Sequence, residues 1–348
     1  MRLNVSPIAR GVLLALAAAA LFGATTPLVQ RFGAGSGAPT VAALLYAGAG
    51  LFALVLRRAG ETKLRASDWP RVLGVGLTGA FIAPVALSAG LARTSGTTAS
   101  LLLNLEAVFT VILGALVWSE PIGRRVAAAV LVIAGGGALV GLDQSTSGET
   151  TWLGPALIAL ATLSWAADNT ISRPLSDLNP AHVVAAKSAV GVVASCLLAS
   201  LSGASWPGLL SALGLVTCGA LGFGLSLRMY LRAQRVLGAA RTGSVFAVAP
   251  FLGALGSALL GEPLGGLLTV SGALLMAVGV WLHLEEEHDH EHDHEAMTHE
   301  HPHRHDDGHH EDHAHEPPVE GEHNHAHHHT ARSHRHAHGE DLHHRHHG

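Results

Sequence analysis

Apolar runs of about twenty residues recur through the first 284 of the 348 residues, with short polar breaks between them. A helix needs roughly 20 apolar residues to cross the ~30 Å hydrocarbon core of a bilayer. The runs lack the polar face that a soluble helix would keep. The pattern therefore predicts ten membrane-spanning helices, called spans 1 to 10 below. They cover residues 11–30, 39–57, 71–92, 96–118, 123–142, 152–173, 181–202, 207–231, 238–260 and 264–284.

The two halves of this apolar region carry matching residues at an offset of 142 positions. The most specific matches are Phe81 with Phe223, and the Glu-Pro pair at Glu120 with the one at Glu262. Each half holds five spans, an odd number, so the halves must cross the membrane in opposite directions. Inverted repeats with a solute site between them are an architecture of secondary transporters.

These matches predict a division of the chain into two repeats and a tail. The first five-helix repeat covers residues 1–142 and the second covers 152–284, with a polar linker at 143–151. Residues 285–348 form a C-terminal tail of different composition. The predicted fold class is therefore an all-α membrane protein of ten helices in two inverted repeats, followed by a disordered tail.

Composition agrees with this fold class, because 49% of the residues are hydrophobic and only 14% are charged. Soluble domains carry about 25% charged residues. Cys196 and Cys218 both lie within apolar runs, which argues against a disulfide framework or a CxxC metal motif. The first apolar run exceeds the roughly 7–15 residues of a signal-peptide core, so we expect it to be retained as span 1.

Lys and Arg are distributed unevenly between the two ends of the spans. The side that carries the N-terminus collects fourteen of them, whereas the other side receives only Arg31 and Arg93. We call these sides the arginine-rich and the arginine-poor face. Positively charged loops remain in the cytoplasm, so we predict a multi-pass protein of the cell membrane with both termini cytoplasmic. The sequence leaves the oligomeric state open.

Two segments that end in Glu-Pro carry a family resemblance. They read LLLNLEAVFTVILGALVWSEPIGRR in the first half and SVFAVAPFLGALGSALLGEPL in the second. Together with the repeat openings ALFGATTPLV and LSWAADNTISRP, they resemble EamA-type members of the drug/metabolite transporter superfamily over about residues 10–284. The resemblance implies ten helices, cytoplasmic termini, a central cavity and transport of a metabolite or drug, often outward. Ala107 stands where many members carry Pro, and Phe22 where they often carry Trp.

Ionisable residues inside the spans are the best candidates for a solute site, because a charge in hydrocarbon is costly unless it is paired or solvated. Glu106 lies about halfway along span 4, and Asn104 lies two residues before it. Glu106 is either a cavity-facing carboxylate that binds a cation or carries a proton, or a structural acid hydrogen-bonded to a neighbouring helix.

A second pair of ionisable residues lies at matching depths in adjacent spans. Asp168 precedes the arginine-rich end of span 6 by about five residues, and Lys187 follows that end of span 7 by about six. We predict that they form an interhelical ion pair, which is either structural or a gate. Asn169 is able to join either arrangement. Trp165 either lines the cavity or anchors span 6 at the membrane interface.

The tail has the composition of a metal-binding segment. Residues 288–347 hold 24 of the 26 histidines, mixed with Asp and Glu. Imidazole and carboxylate groups suit Zn²⁺, Ni²⁺, Co²⁺ or Cu²⁺, and a segment with so few apolar residues is expected to be disordered without metal. Solvated low-complexity sequence or an expression tag is the alternative. The predicted ligands are His288, His290, His292, His294, His323, His325, His327, His328 and His329.

Three functions fit these features. The first is a carrier of a small metabolite or drug-like solute, with the lipid bilayer and divalent metal ions as its other partners. The second is a divalent-metal exporter loaded by the tail, and the third is a membrane-tethered metal buffer. The sequence has no GK[ST] phosphate loop and no nucleophile elbow, so we expect neither an enzyme nor a required cofactor, and nothing suggests a nucleic-acid partner.

Overall fold

The computed structural model describes residues 7–56, 64–146, 152–175 and 178–284, together with four segments of the tail, 288–294, 297–303, 323–329 and 332–338. The chain divides into two units, Met1–Glu286 and Glu287–Gly348. The first unit is helical and contains all ten predicted spans.

Six spans are single helices. Spans 1, 2, 5, 6, 7 and 10 are formed by Pro7–Gly33, Ala38–Leu56, Arg124–Thr146, Leu153–Ser172, Pro180–Ser202 and Leu267–Leu284. Eight helical segments in the described residues are long and apolar enough to cross a membrane. Spans 6 and 10 complete the ten, although Asp168 and Asn169 make span 6 less apolar and span 10 is shorter.

The other four spans are interrupted. In span 3, the 3₁₀ turn Ala66–Asp68 and the helix Trp69–Leu77 lead into a π-helical segment, Thr78–Ile82, and the helix Ala83–Leu91. Span 8 repeats this order as Leu209–Cys218, the π segment Gly219–Leu225, and Ser226–Leu237. Span 4 breaks between Gly96–Leu102 and Leu105–Trp118, and span 9 between Ala239–Phe246 and Ala249–Leu259.

These interruptions fall at equivalent positions of the two repeats. An offset of 142 places the π segment of span 3 within that of span 8, and the two helix breaks agree to within two residues. Pro84 and Pro250 follow an interruption in each repeat, at the first turn of the next helix. Pro lacks the amide that would continue a helix and is tolerated in the first turn, so the backbone changes pitch just before it.

The contacts between spans confirm the two-repeat architecture. Spans 2 and 7, spans 4 and 9, and spans 5 and 10 pack against each other. Span 3 packs against spans 6 and 7, and its equivalent, span 8, packs against spans 1 and 2. Each contact thus has a counterpart between the equivalent spans, as two antiparallel halves around a twofold axis require.

Spans 5 and 10 approach each other backbone to backbone through glycine. A Cβ added at Gly136 would lie 2.6 Å from the carbonyl oxygen of Gly272, and one at Gly272 would lie 2.5 Å from that of Gly136. Small residues allow this approach where lipid gives little hydrophobic drive for helix association. Asp143 closes one end of the pair, because its Oδ2 accepts hydrogen bonds from the Gly266 amide at 2.5 Å and the Thr269 hydroxyl at 2.6 Å.

The outer surface of the helical unit is apolar. Large side chains such as Leu116, Leu131 and Leu267 are between 72% and 81% exposed. Contiguous exposed apolar surface of this kind suits contact with lipid rather than water. The chain is therefore a multi-pass membrane protein.

The tail unit contains four seven-residue strands. Strand β1 (His288–His294) pairs antiparallel with β4 (Arg332–His338), and β2 (Met297–His303) pairs with β3 (His323–His329). The composition predicts no regular structure here, whereas the structure has backbone pairing in these four segments. An antiparallel ladder needs only backbone groups, and alternating sequence suits the two-residue period of a strand. In each pair the register sets histidine opposite histidine at three positions.

Candidate functional site

The predicted ion pair between spans 6 and 7 is present. Lys187 Nζ lies 2.7 Å from Asp168 Oδ2, and the Asp168 side chain is only 7% exposed. Pairing of this kind is what keeps a charge stable inside a membrane protein. The second carboxylate oxygen of Asp168, Oδ1, is buried and has no hydrogen-bond partner among the described residues.

Glu106 joins span 4 to span 6 next to this ion pair. Its Oε1 accepts a hydrogen bond of 2.9 Å from Asn169 Nδ2. Asn169 follows Asp168 directly on span 6, so this hydrogen bond connects Glu106 to the residue next to the ion pair. Glu106 is half-buried and Asn169 is exposed. The hydrogen bond between them therefore lies at the exposed side of these four residues. We call Glu106, Asp168, Asn169 and Lys187 the polar cluster.

Asn104 does not join the polar cluster. It lies at the break in span 4, where its side-chain amide donates to the Leu101 carbonyl oxygen at 2.9 Å and lies 3.9 Å from the Met276 sulfur of span 10. Asn104 lies two positions before Glu106, but the break turns their side chains toward different neighbours. Asn104 therefore supports the break and its contact with span 10.

The π segment of span 3 packs against the Asp168 side of the ion pair. A Cβ at Gly79 would overlap the Asp168 carboxylate, so glycine allows Asp168 to lie against the helix backbone. The Gly79 carbonyl oxygen accepts two side-chain hydrogen bonds, from the Tyr46 hydroxyl at 2.5 Å and from Trp165 Nε1 at 3.1 Å. A π segment changes the pairing from i+4 to i+5, which leaves a carbonyl available to such donors. Sequence reasoning missed Gly79.

Tyr46 and Trp165 belong to a larger set of aromatic side chains, which come from five spans in all. Phe223 stacks on Tyr46 with ring centroids 5.7 Å apart, and it meets Trp165 at 6.2 Å and Phe22 edge-on at 5.9 Å. Phe22 in turn contacts Phe246 at 5.5 Å, and Phe246 contacts Tyr230 at 5.1 Å. We call this set the aromatic ladder; its members are Phe22, Tyr46, Trp165, Phe223, Tyr230 and Phe246.

Comparison with known proteins gives the family. The model of the EamA-like transporter family matches residues 9–142 and again residues 152–284. The chain belongs to this family. An uncharacterized transporter from the archaeon Methanothermobacter thermautotrophicus is 27% identical over 267 residues, covering 70% of this chain and 77% of its own length. A crystal structure described only as that of a protein shares the fold at a TM-score of 0.57 and 19% identity, covering 79% of this chain and 98% of its own.

The glutamate of the first Glu-Pro pair of this EamA-like chain forms an ion pair outside the polar cluster. Glu120 pairs with Arg173, which connects the ends of spans 4 and 6. The Arg173 guanidinium also lies over the Trp118 ring, 5.3 Å from its centroid. Ser119, which lies between Trp118 and Glu120 in the sequence, adopts a left-handed conformation with φ of 57°. These contacts support a structural role for Glu120.

A cavity of about 600 Å³ lies at the arginine-poor end of spans 1, 2 and 3 of the EamA-like fold. Gln30, Ser88 and Arg93 line it, together with the loop at residues 33–38. It contains no member of the polar cluster. The Gln30 amide donates to the carbonyl oxygens of Leu91 and Thr94, so the cavity wall is held by backbone contacts.

No group of three or more His, Cys, Asp or Glu side chains converges on a metal-sized site within the described helices of this EamA-like chain. The nine predicted tail ligands have backbone positions in β1 and β3. Their side chains lie outside the described part of the chain, so metal binding by the tail stays a prediction.

Proposed function

We propose that this EamA-like chain is a secondary transporter that moves a small organic solute across the cell membrane by alternating access. The polar cluster, with Trp165 beside it, forms the solute site. The observation that carries this proposal is the position of three ionisable groups within the spans, with Glu106 from the first repeat and Asp168 and Lys187 from the second. Ionisable residues inside a bundle mark solute and proton pathways, and carriers of this type bind at the repeat interface.

The Asp168–Lys187 pair supplies a two-state element for this transport. Separating a buried pair without replacement leaves an uncompensated charge, which is strongly unfavourable. A solute or proton that neutralises one partner removes that penalty and permits the spans to separate. Under this proposal the pair is a gate, whereas a purely structural pair would stay closed throughout the cycle.

The orientation and direction belong to the same proposal. The excess of Lys and Arg on one face supports cytoplasmic termini in the plasma membrane, and the family resemblance supports export. An everted vesicle, in which the cytoplasmic face is outside, then accumulates the exported solute.

Everted vesicles with a panel of organic solutes test the proposal. Wild-type vesicles should accumulate at least one solute above vesicles without the protein, and Glu106→Gln should lower that accumulation at least several-fold. Glu262→Gln makes the same chemical change at a span end outside the polar cluster and should transport normally. If no solute on a broad panel is accumulated, or if both variants behave alike, the assignment of the site is wrong.

We also propose that the His-rich tail binds divalent metal ions as an accessory to transport. Its support is the density of histidine and carboxylate side chains over residues 288–347. Metal titration of the full chain and of a chain ending at residue 287 compares the candidate roles. Loss of metal binding with unchanged solute export supports the accessory role. Loss of metal export identifies a metal exporter, and loss of metal retention without altered flux identifies a buffer.

A further inference from the structure

We propose that the transported solute is an organic monocation with a flat aromatic body. This inference rests on the proposed function and adds the chemical class of the solute. Three observations carry it: the net charge of the polar cluster, the aromatic ladder that adjoins it, and the contacts that connect the two.

The polar cluster carries one uncompensated negative charge when its carboxylates are ionised. Asp168 and Lys187 cancel each other across 2.7 Å. Among the described residues, the hydrogen-bond partner of Glu106 is then the neutral Asn169 amide. Glu106 is half-buried, where a charge without a counter-ion is unfavourable. A cationic solute supplies that counter-ion. The buried Asp168 Oδ1, which has no hydrogen-bond partner among the described residues, is a second acceptor in the polar cluster.

The aromatic ladder suits the body of such a solute. The faces of aromatic rings carry negative potential, so they attract cations as well as apolar groups. Phe22, Phe223, Tyr230 and Phe246 remain partly exposed although their spans pack against one another. Partly exposed rings in an interior position offer stacking surface to a flat solute.

The two features share residues, which places them in one site. Tyr46 stacks on Phe223 and hydrogen-bonds Gly79, against which Asp168 lies. Trp165 of the ladder lies one helical turn before Asn169 on span 6, and Asn169 donates a hydrogen bond to Glu106. A solute whose charge lies at Glu106 therefore has aromatic surface within reach of its ring.

Anionic and zwitterionic solutes fit this arrangement less well. A solute carboxylate that approached Lys187 would have to displace Asp168 from the ion pair. A zwitterion that paired with Glu106 and displaced Asp168 from Lys187 is the specific competitor that the experiment has to exclude.

Binding to the purified full chain in lipid nanodiscs tests the class with a matched series. The series consists of N-methylquinolinium, neutral quinoline, quinoline carboxylate, the zwitterion N-methylquinolinium carboxylate, and the non-aromatic cation tetramethylammonium. We expect N-methylquinolinium to bind at least about tenfold more tightly than every other member, the scale of one cation–π contact with a charge pairing. Glu106→Gln should reduce the preference for the cation over quinoline to about twofold or less.

Matched phenylalanine variants test the aromatic part. Phe223→Leu should weaken N-methylquinolinium binding about tenfold, because ring stacking is lost, and should weaken binding of tetramethylammonium, which has no ring to stack, by less. Phe81→Leu alters the repeat-equivalent phenylalanine, which lies outside the aromatic ladder, and should leave both affinities unchanged. Equal effects of the two substitutions would overturn the role of the ladder.

The outcomes separate this inference from the proposed function. Tighter binding of the neutral, anionic or zwitterionic member, or an unchanged preference in Glu106→Gln, overturns the monocation class. If other solutes are then accumulated by everted vesicles, the chain is still a transporter with a different solute. If no solute is accumulated at all, the proposed function fails together with the class.

Discussion

At the scale of single residues, the arrangement of the polar cluster depends on a few contacts, each of which requires the others. Asp168 lies against the backbone of Gly79 and pairs with Lys187, while the Gly79 carbonyl oxygen holds Tyr46 and Trp165. The glycine at this position allows the carboxylate to approach, and the carboxylate in turn holds the lysine. The consequence is that substitutions at Gly79 and at the ion pair should act on the same site.

Lys187→Ala should destabilise the protein by about 3–5 kcal/mol, because it leaves Asp168 as an uncompensated buried charge. The double variant Asp168→Asn/Lys187→Met removes both charges and should recover most of that loss. Thermal unfolding in detergent measures both effects. The same three proteins in the vesicle assay separate the two roles: a structural pair predicts transport that recovers with stability, whereas a gate predicts a stable double variant without transport.

Gly79→Ala should lower the unfolding temperature and weaken transport, since a Cβ at residue 79 overlaps the Asp168 carboxylate. Gly74→Ala is the matched control in the same span, because a Cβ there would meet Ile171 only at 3.5 Å, an ordinary contact. Gly-to-Ala substitution in an unobstructed helix is stabilising by up to about 1 kcal/mol. Opposite shifts of unfolding temperature are therefore expected, and equal shifts would contradict the close approach of Asp168.

At the scale of helices, the sequence predicted positions along each span better than directions around it. All ten spans and the depth match of Asp168 with Lys187 followed from hydropathy and helix rise, which depend on residue number alone. Asn104 was expected beside Glu106, but the break at residues 103–104 turned it toward Met276. Trp165 was a candidate for the cavity lining, but the sequence did not predict the aromatic ladder as a set. The ladder depends on which face each span turns inward, and small apolar residues on every face conceal that face.

Gly136 and Gly135 test the packing of spans 5 and 10, because they are neighbours with opposite surroundings. A Cβ at Gly136 would lie 2.6 Å from the Gly272 carbonyl oxygen, whereas one at Gly135 would have nothing within 4 Å. Gly136→Ala should lower the unfolding temperature by several degrees, and Gly135→Ala should leave it unchanged or raise it. A loss of stability in Gly135→Ala alone would show that the helix pair is packed differently.

At the scale of the whole molecule, the decisive feature is that two similar halves lie upside down relative to each other. The π segments of spans 3 and 8, the breaks of spans 4 and 9, and the paired contacts of spans 5 and 10 all repeat. The polar cluster does not, because the positions equivalent to Asp168 and Lys187 are Thr26 and Leu45. Under the proposed function, the equivalent scaffold would permit two related conformations, while the non-equivalent polar cluster would provide one solute site.

This arrangement predicts which loops face the cytoplasm. Single cysteines at Ala34, in the loop between spans 1 and 2, and at Ile122, in the loop between spans 4 and 5, should lie on opposite faces; both positions are exposed. With Cys196 and Cys218 replaced by Ala, a membrane-impermeant maleimide should label Ala34→Cys in intact cells. It should label Ile122→Cys only after permeabilisation, because the arginine-rich face is predicted to be cytoplasmic. The reverse pattern would mean that the topology is inverted and that the proposed export is import. Labelling of both positions in intact cells would contradict the three spans predicted between them.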